Sequence, residues 1–227
     1  MHMTKMMFPV LLLLPASLLA GGLGGNIETG ISAAKIGDLG KSYGLEAGYQ
    51  LTPALRTRLS YSTLDYQTDQ TFGSIRFTEE LDQKNARLTL DWFPQRKADG
   101  LYGSAGLVHL GEPSKLAATL TPGLNYPVNG VVYSAAQLGQ ISGTLETSKT
   151  VPYAGVGYNH HFGKSNGNGW YVQAEAGSVF GLDPQLKMQS TGVLPGLADN
   201  LNAYAAQEST KLKDSYAIYG ITIGYRF

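Results

Sequence analysis

The chain has 227 residues, with 17 Lys+Arg against 17 Asp+Glu, four His and no Cys. A balanced charge without a polybasic patch argues against nucleic acid as a partner, and the lack of thiols excludes disulfides and thiolate metal sites. Charged residues make up only 15% of the chain, low beside the ~25% of ordinary soluble domains. Together with 29 Gly and 14 Tyr, this favours a membrane barrel over a soluble domain.

Residues 1–20 read as a signal peptide. A short start carries Lys5, the run from Phe8 to Leu19 is apolar, and small residues follow at Ala20, Gly21 and Gly22. The run is too short to span a bilayer and is interrupted by Pro15, so export and cleavage after Ala20 are expected in place of a membrane helix. No Cys follows it, so no lipoprotein anchor is expected. Gly21–Gly25 matches no phosphate loop and reads as a flexible leader. The remaining chain, 21–227, forms one domain.

Eight segments of period-2 alternation follow. The first, 26–36, sets Ile27, Thr29, Ile31 and Ala33 on one face. In the second, 42–51, Tyr43, Leu45, Ala47, Tyr49 and Leu51 oppose Gly44, Glu46, Gly48 and Gln50. In the third, 55–66, Leu55, Thr57, Leu59 and Tyr61 oppose Arg56, Arg58, Ser60 and Ser62. The fourth, 83–93, sets Leu88, Leu90 and Trp92 against Arg87, Thr89 and Asp91. In the fifth, 101–110, the alternation is blurred and leaves the outward face open. The sixth, 152–162, sets Ala154, Val156 and Tyr158 against Tyr153, Gly155 and Gly157. The seventh, 170–181, carries Trp170, Val172, Ala174, Ala176 and Phe180 opposite Tyr171, Gln173, Glu175, Gly177 and Val179. The eighth, 215–227, alternates Tyr219, Ile221, Ile223, Tyr225 and Phe227 with Gly220, Thr222, Gly224 and Arg226.

Short connections at 52–54, 94–100 and 163–169 alternate with long ones at 67–82, 111–150 and 182–214; only 37–41 departs from the alternation. Both termini at the short-turn end require an even strand count, which eight satisfies. The pattern is that of an all-β, eight-stranded antiparallel up-and-down transmembrane β-barrel with periplasmic turns and long extracellular loops. Tyr49, Trp92, Tyr158, Trp170 and Tyr225 mark an aromatic belt near the short-turn end, and Tyr61, Phe180 and Tyr219 a second belt nearer the loops. From Trp170 to Phe180 the chain climbs roughly 25 Å at ~3.3 Å per residue and ~40° tilt, the height of the apolar band.

An eight-stranded lumen is too narrow for an open aqueous channel. Glu46, Arg56, Arg58, Arg87, Asp91, Glu175 and Arg226 are expected inside it, as an ion-pair network that plugs the barrel; a proton or ion path and a polar ligand site remain as alternatives. The inward glycines Gly44, Gly48, Gly155, Gly157, Gly177, Gly220 and Gly224 either make room for Tyr153, Tyr171 and the Arg side chains or leave a cavity. In the loops, 133–140 suggests a helical turn. The stretch 197–213 has helical composition with Leu197, Leu201, Tyr204, Ala205 and Leu212 on one stripe. Such a helix is expected to cap the barrel mouth, since it lacks the basic face of a membrane-surface helix.

The strands resemble the small eight-stranded Gram-negative outer-membrane barrels, the OmpA/OmpX/OmpW-like group. Within it, the stretches LTLDWFP (88–94), VVYSAAQLGQISGTLE (131–146), VPYAGVGY (151–158), GWYVQAEAGSVFGLDPQLKM (169–188) and YAIYGITIGYRF (216–227) look like those of a poorly characterised outer-membrane barrel family. The terminal Phe227 with its alternating apolar residues resembles that group's closing strand and assembly signal. The resemblance implies outer-membrane localisation, contact with outer-membrane lipid and lipopolysaccharide, and insertion by the barrel-assembly machinery. It brings no catalytic residues.

Some eight-stranded barrels act on lipid acyl chains through a His, a Ser and a carboxylate. Here His109 has Ser114 and Glu112 close in sequence, but convergence in space is what catalysis needs. His160 and His161 point to opposite faces of one strand and cannot readily share a metal ion. The expected protein is a non-enzymatic, monomeric outer-membrane barrel without metal or cofactor, with a structural or surface-interaction role. A narrow channel for small, hydrophobic molecules is the alternative, and an outer-leaflet acyl hydrolase or transferase ranks below it.

Overall fold

The computed structural model describes residues 27–37, 40–97, 99–163 and 168–227. The signal peptide expected at 1–20 and the Gly21–Gly25 leader lie outside the described residues. In chain order the elements are β1 (Ile27–Ile36), β2 (Gly40–Thr52), β3 (Leu55–Phe72), β4 (Ile75–Trp92) and β5 (Gly100–His109). There follow β6 (Ser114–Thr119), β7 (Asn125–Val128), β8 (Val131–Ser134), α1 (Ala135–Leu138) and β9 (Ile141–Glu146). The chain ends with β10 (Thr150–Gly163), β11 (Gly169–Phe180), β12 (Gln185–Ser190), α2 (Leu197–Ser209) and β13 (Ser215–Arg226).

Eight of these strands close on themselves in the order β1-β2-β3-β4-β5-β10-β11-β13, all neighbours antiparallel. The seam is the β1–β13 pair, in register from Glu28↔Arg226 to Ile36↔Ile218, with the Phe227 N–H donating to the Ile27 carbonyl at 2.9 Å. Closure leaves the barrel no free edge, the condition for a sheet to sit in hydrocarbon. The outer face is apolar: Ile31, Leu45, Leu59, Leu88, Leu107, Val156, Ile221 and Ile223 are all exposed. Large apolar side chains turned outward around polar ones turned inward invert the usual globular arrangement. Strand five settles the same way: Leu101, Ala105, Leu107 and His109 face out, while Tyr102, Ser104 and Val108 face in.

Above the band the chain departs from its expected outline. The stretch 67–82 is no loop: β3 and β4 continue as a hairpin to a tight turn at Gly73-Ser74, paired from Leu55↔Trp92 to Phe72↔Ile75. Beyond the hydrocarbon the outward side chains no longer need to be apolar, so the strand continues in polar residues and its membrane signature disappears. The connections 111–150 and 182–214 are likewise built up. The end of β4 pairs with β6, β6 with β9, and β9 with β12, giving an upper sheet β3-β4-β6-β9-β12. Phe72, Ile75, Phe77, Leu116, Leu186 and Met188 of this sheet pack with the β7–β8 hairpin, Leu138 of α1 and Leu197, Leu201 and Tyr204 of α2. The α2 stripe thus faces protein, and the Tyr204 hydroxyl donates to the Phe72 carbonyl at 2.5 Å. The helix ends at Ser209, four residues short of the stretch expected, and Leu212 packs against the same cluster beyond it.

Inward glycines face inward tyrosines. Tyr102 lies opposite Gly157 and Tyr171 opposite Gly224. A Cβ on Gly157 would sit 2.3 Å from the Tyr102 ring, on Gly177 2.3 Å from the Tyr153 hydroxyl, and on Gly224 2.5 Å from the Tyr171 ring. Gly220 differs: a Cβ there would meet only Ala34 Cβ at 3.5 Å and the Ala33 carbonyl at 3.6 Å. Most of these glycines therefore make room for rings, and Gly220 borders open space.

Two outcomes follow from this packing. Gly177→Val is expected to destabilise the barrel by about 1–3 kcal/mol through overpacking, read as a lower urea midpoint, while Gly220→Val leaves the midpoint unchanged or raises it. Deleting Phe227 removes a seam hydrogen bond and a ring packed edge-on against Tyr225 at 5.0 Å. Heat-modifiable protein in the membrane fraction should fall sharply while synthesis continues; unaltered migration on gels would count against the role of this residue in closure.

Candidate functional site

The lumen holds the densest chemistry of the molecule. Arg56 and Arg58 lie two residues apart on β3, so both project inward, and β4 sets Asp91 directly across from Arg56. Arg58 donates to Asp91 at 2.5 and 2.9 Å, to Glu46 at 3.0 Å and to Glu175 at 2.5 Å. Its partners come from β4, β2 and β11, and a longer contact of 3.4 Å reaches Ser104 on β5. Arg56 donates to Asp91 at 2.8 Å, to Glu28 at 2.7 Å and to Gln173 at 2.7 Å. In the ring of eight strands β11 stands diametrically opposite β3, so Arg58–Glu175 and Arg56–Gln173 cross the full width of the lumen.

Around this pair the other charges close up. Arg87 donates to Glu175 at 2.9 Å and to the Ser60 hydroxyl at 3.3 Å, and lies 3.7 Å from Glu46. Glu175 also accepts from the Tyr102 hydroxyl at 2.9 Å and from the Tyr153 hydroxyl in a short bond. At the short-turn end Arg226 donates to Glu28, whose other neighbours are Arg56 and His161 Nε2, the latter at 3.2 Å. Rings flank the guanidinium groups: Phe93 and Tyr102 lie 5.1 and 5.2 Å from Arg56, and Tyr153 lies 4.9 Å from Arg87. Arg56 and Arg58 are fully buried. Ions taken out of water are held only when attraction and hydrogen bonds offset desolvation, and here four Arg face four carboxylates.

The seven charged residues singled out in the sequence all face the lumen, Arg226 meeting Glu28 alone among the carboxylates. Sequence reasoning missed Glu28, Gln173, Tyr102, Ser104 and His161 as members. Glu28 was detectable: it alternates with Ile27 and Thr29, and it supplies the fourth carboxylate. Tyr102 and Ser104 were hidden by the blurred alternation of β5. Of the aromatic belts, Trp92, Tyr158, Trp170, Tyr61, Phe180 and Tyr219 are exposed on the outer wall. Tyr49 and Tyr225 are half-buried there, Tyr225 lying between Trp170 and Phe227.

The histidine arrangements separate. His109 is exposed on the outer wall with Nδ1 3.0 Å from the Thr150 hydroxyl, whereas Ser114 is buried at the start of β6. His160 faces outward beside Asp99 at 3.3 Å, and His161 faces inward to Glu28. Among the described residues no group of three or more His, Asp or Glu is placed to hold a metal ion.

Above the network lies an unfilled cavity of about 140 Å³. Arg87, Glu175 and Gln173 form its floor, Ser42, Ser60 and Asn85 one wall, Val108, Val179 and Ile218 the other. Gly220 also lines it, which accounts for the open space beside that residue.

Arg58→Met leaves Asp91, Glu46 and Glu175 without their shared cation. It is expected to cost about 3–5 kcal/mol, measured by urea unfolding in detergent micelles or bilayers. Arg58→Met with Asp91→Leu should recover part of that loss; a double variant less stable than the sum of its singles would contradict the network's coupling.

No protein-family model and no curated protein sequence matches the chain. Among solved structures it is similar to CarO of Acinetobacter baumannii, at 19% identity and a TM-score of 0.55, over 89% of this chain and 98% of that one. It is similar also to CarO2 of the same organism, at 18% identity and a TM-score of 0.56, over 89% and 99%. The likeness extends to both ends of those barrels. The chain has the fold of the small eight-stranded outer-membrane β-barrels.

Proposed function

We propose that the protein is a non-enzymatic integral barrel of the outer membrane whose lumen is closed by its ion-pair network and whose work is done by the structured layer at its extracellular end. The observation that carries this reading is the pair of contacts across the barrel's diameter, Arg58 to Glu175 and Arg56 to Gln173. Side chains meeting from opposite walls, with rings beside the guanidinium groups, support a lumen closed to water. The upper sheet, the β7–β8 hairpin and α2 share a core of their own, which gives the extracellular end a fixed shape suited to surface recognition. A monomer surrounded by outer-membrane lipid and lipopolysaccharide, inserted by the barrel-assembly machinery, accords with an outer wall apolar on every strand. The position of His109 on that wall, turned to Thr150, supports the non-enzymatic assignment.

One observation favours a second reading, a narrow channel for small molecules: a cavity of about 140 Å³ lies above the network. Single-channel recording in a planar bilayer divides the two. The wild type is expected to be silent, and Arg58→Ala and Glu175→Ala to show leak currents. Discrete openings of the wild type would overturn the closed-lumen reading in favour of the channel.

A further inference from the structure

Between the two aromatic belts the outer wall carries no charged side chain among the described residues, and the first charges above the upper belt on β1, β2 and β4 are all lysines. Lys35, Lys41 and Lys84 are exposed. In the register Lys35 stands directly across from Lys41 on one side and from Tyr219 of the upper belt on the other. Lys84 pairs with Thr63, which pairs with Tyr43, two residues below Lys41. Lys41 stands eight residues above Tyr49 and Lys84 eight above Trp92. Each is therefore roughly 20 Å up at ~3.3 Å per residue and ~40° tilt, close to the top of the ~25 Å apolar band. The three lysines form one row where hydrocarbon gives way to lipid headgroups.

Like charges directly opposite each other on two strands repel, and the protein does not offset that repulsion here. Among the described residues none of the three lysines has an ion-pair or hydrogen-bond partner. The exposed cations of the upper layer are different: Arg76 pairs with Asp69, Lys187 with Glu146 and Lys211 with Glu208. The first acids on the same face, Asp65 and Asp82, are register partners of each other, two residues beyond Thr63 and Lys84, so an anion at the lysines lies below them. Lys41 and Lys84 are two strand spacings of ~4.8 Å and two residues of ~3.3 Å apart, about 12 Å between Cα atoms. Below the row Ala33, the smallest outward side chain of β1, lies between Tyr43 on β2 and Ile221 on β13. A notch thus leads from Lys35 down to the exposed Ile31 and Leu45.

We propose that Lys35, Lys41 and Lys84 form a binding site for a doubly phosphorylated glycolipid of the outer leaflet, one phosphate held between Lys35 and Lys41, the other reached by Lys84, and an acyl chain laid in the notch at Ala33. The first phosphate removes the repulsion between the facing lysines and accepts charge-assisted hydrogen bonds from both. A headgroup with a single phosphate satisfies one end of the row and leaves the other end bare, whereas two joined sugars with a phosphate on each span it. The site rests on the reading of the outer wall as lipid-facing and is independent of whether the lumen conducts.

The test titrates the full barrel in detergent micelles with diphosphoryl lipid A, monophosphoryl lipid A or phosphatidylglycerol and counts retained lipid by native mass spectrometry. One diphosphoryl lipid is expected to be retained, at least tenfold tighter than either of the others. Lys35→Gln with Lys41→Gln should weaken it at least tenfold, and Lys84→Gln should erase the preference for two phosphates over one. Arg76→Gln with Lys187→Gln removes as much charge from the upper layer and should leave retention unchanged. Without lipid, the Lys35→Gln and Lys41→Gln double variant should unfold at a urea midpoint no lower than that of the wild type, since it relieves a repulsion. Equal retention of the three lipids, or an equal loss from the upper-layer variant, would overturn the site and leave the lipid-facing wall standing. Retention of no lipid at all would overturn both. Should a variant fail to assemble, the order of the three lipids on the wild type decides alone.

Discussion

Barrel closure at eight strands is the constraint on which the other features rest. Backbone groups in hydrocarbon must all be paired, so the sheet closes, and the strand number then fixes the width of the lumen. At that width an arginine on β3 reaches a carboxylate on β11. Each charge drawn inside finds its partner on another strand. Arg58, with contacts to β2, β4, β5 and β11, converts a ring of strands into a cross-braced cylinder.

The interior is filled by alternating the largest and smallest side chains. A tyrosine cannot lie flat against a wall that carries a Cβ opposite it, and the register sets Gly157 and Gly224 where Tyr102 and Tyr171 need space. The Tyr102 ring then flanks Arg56 and its hydroxyl donates to Glu175, while Tyr171 packs against His161, so the glycines act on the ion pairs indirectly. Gly220 shows the contrast: with no ring to receive, its side of the lumen stays open. The lower half of the barrel is thereby packed and electrically balanced, while the upper half keeps space.

How much of this was legible in the sequence followed the physics of each region. Within hydrocarbon a strand must be apolar on one face, so Leu88-Thr89-Leu90-Asp91-Trp92 and Ile221 to Phe227 announced themselves, and with them the strand number and seam. Above the band that requirement lapses. The β3 stretch from Thr68 to Phe72 is polar enough to read as loop, and nothing in it shows that it pairs with residues 75–79. Charges on β2, β3, β4 and β11 were legible as inward by alternation alone; their pairing was not, because Glu28 and Arg226 meet across 198 residues of sequence. The β5 residues Tyr102 and Ser104 were lost because Gly and Ala on both faces weaken the period. The buried Glu79 gave no signal, since it is covered by β6, where Leu116 pairs with it.

The contact between Glu28 and Arg226 bears on the order of events during folding. Pairings between neighbouring strands close short loops, whereas the β1–β13 seam joins segments separated by nearly the whole chain and bears the largest loop-closure entropy of the structure. Non-local pairings of this kind come late and slowly. The Glu28–Arg226 pair at the seam and the reach of Arg56 and Arg58 to β11 form only once the cylinder is complete, whereas Asp91 and Glu46 meet those arginines across neighbouring strands. The pairs between neighbours are thus open to the unclosed sheet, and closure adds those that span the lumen.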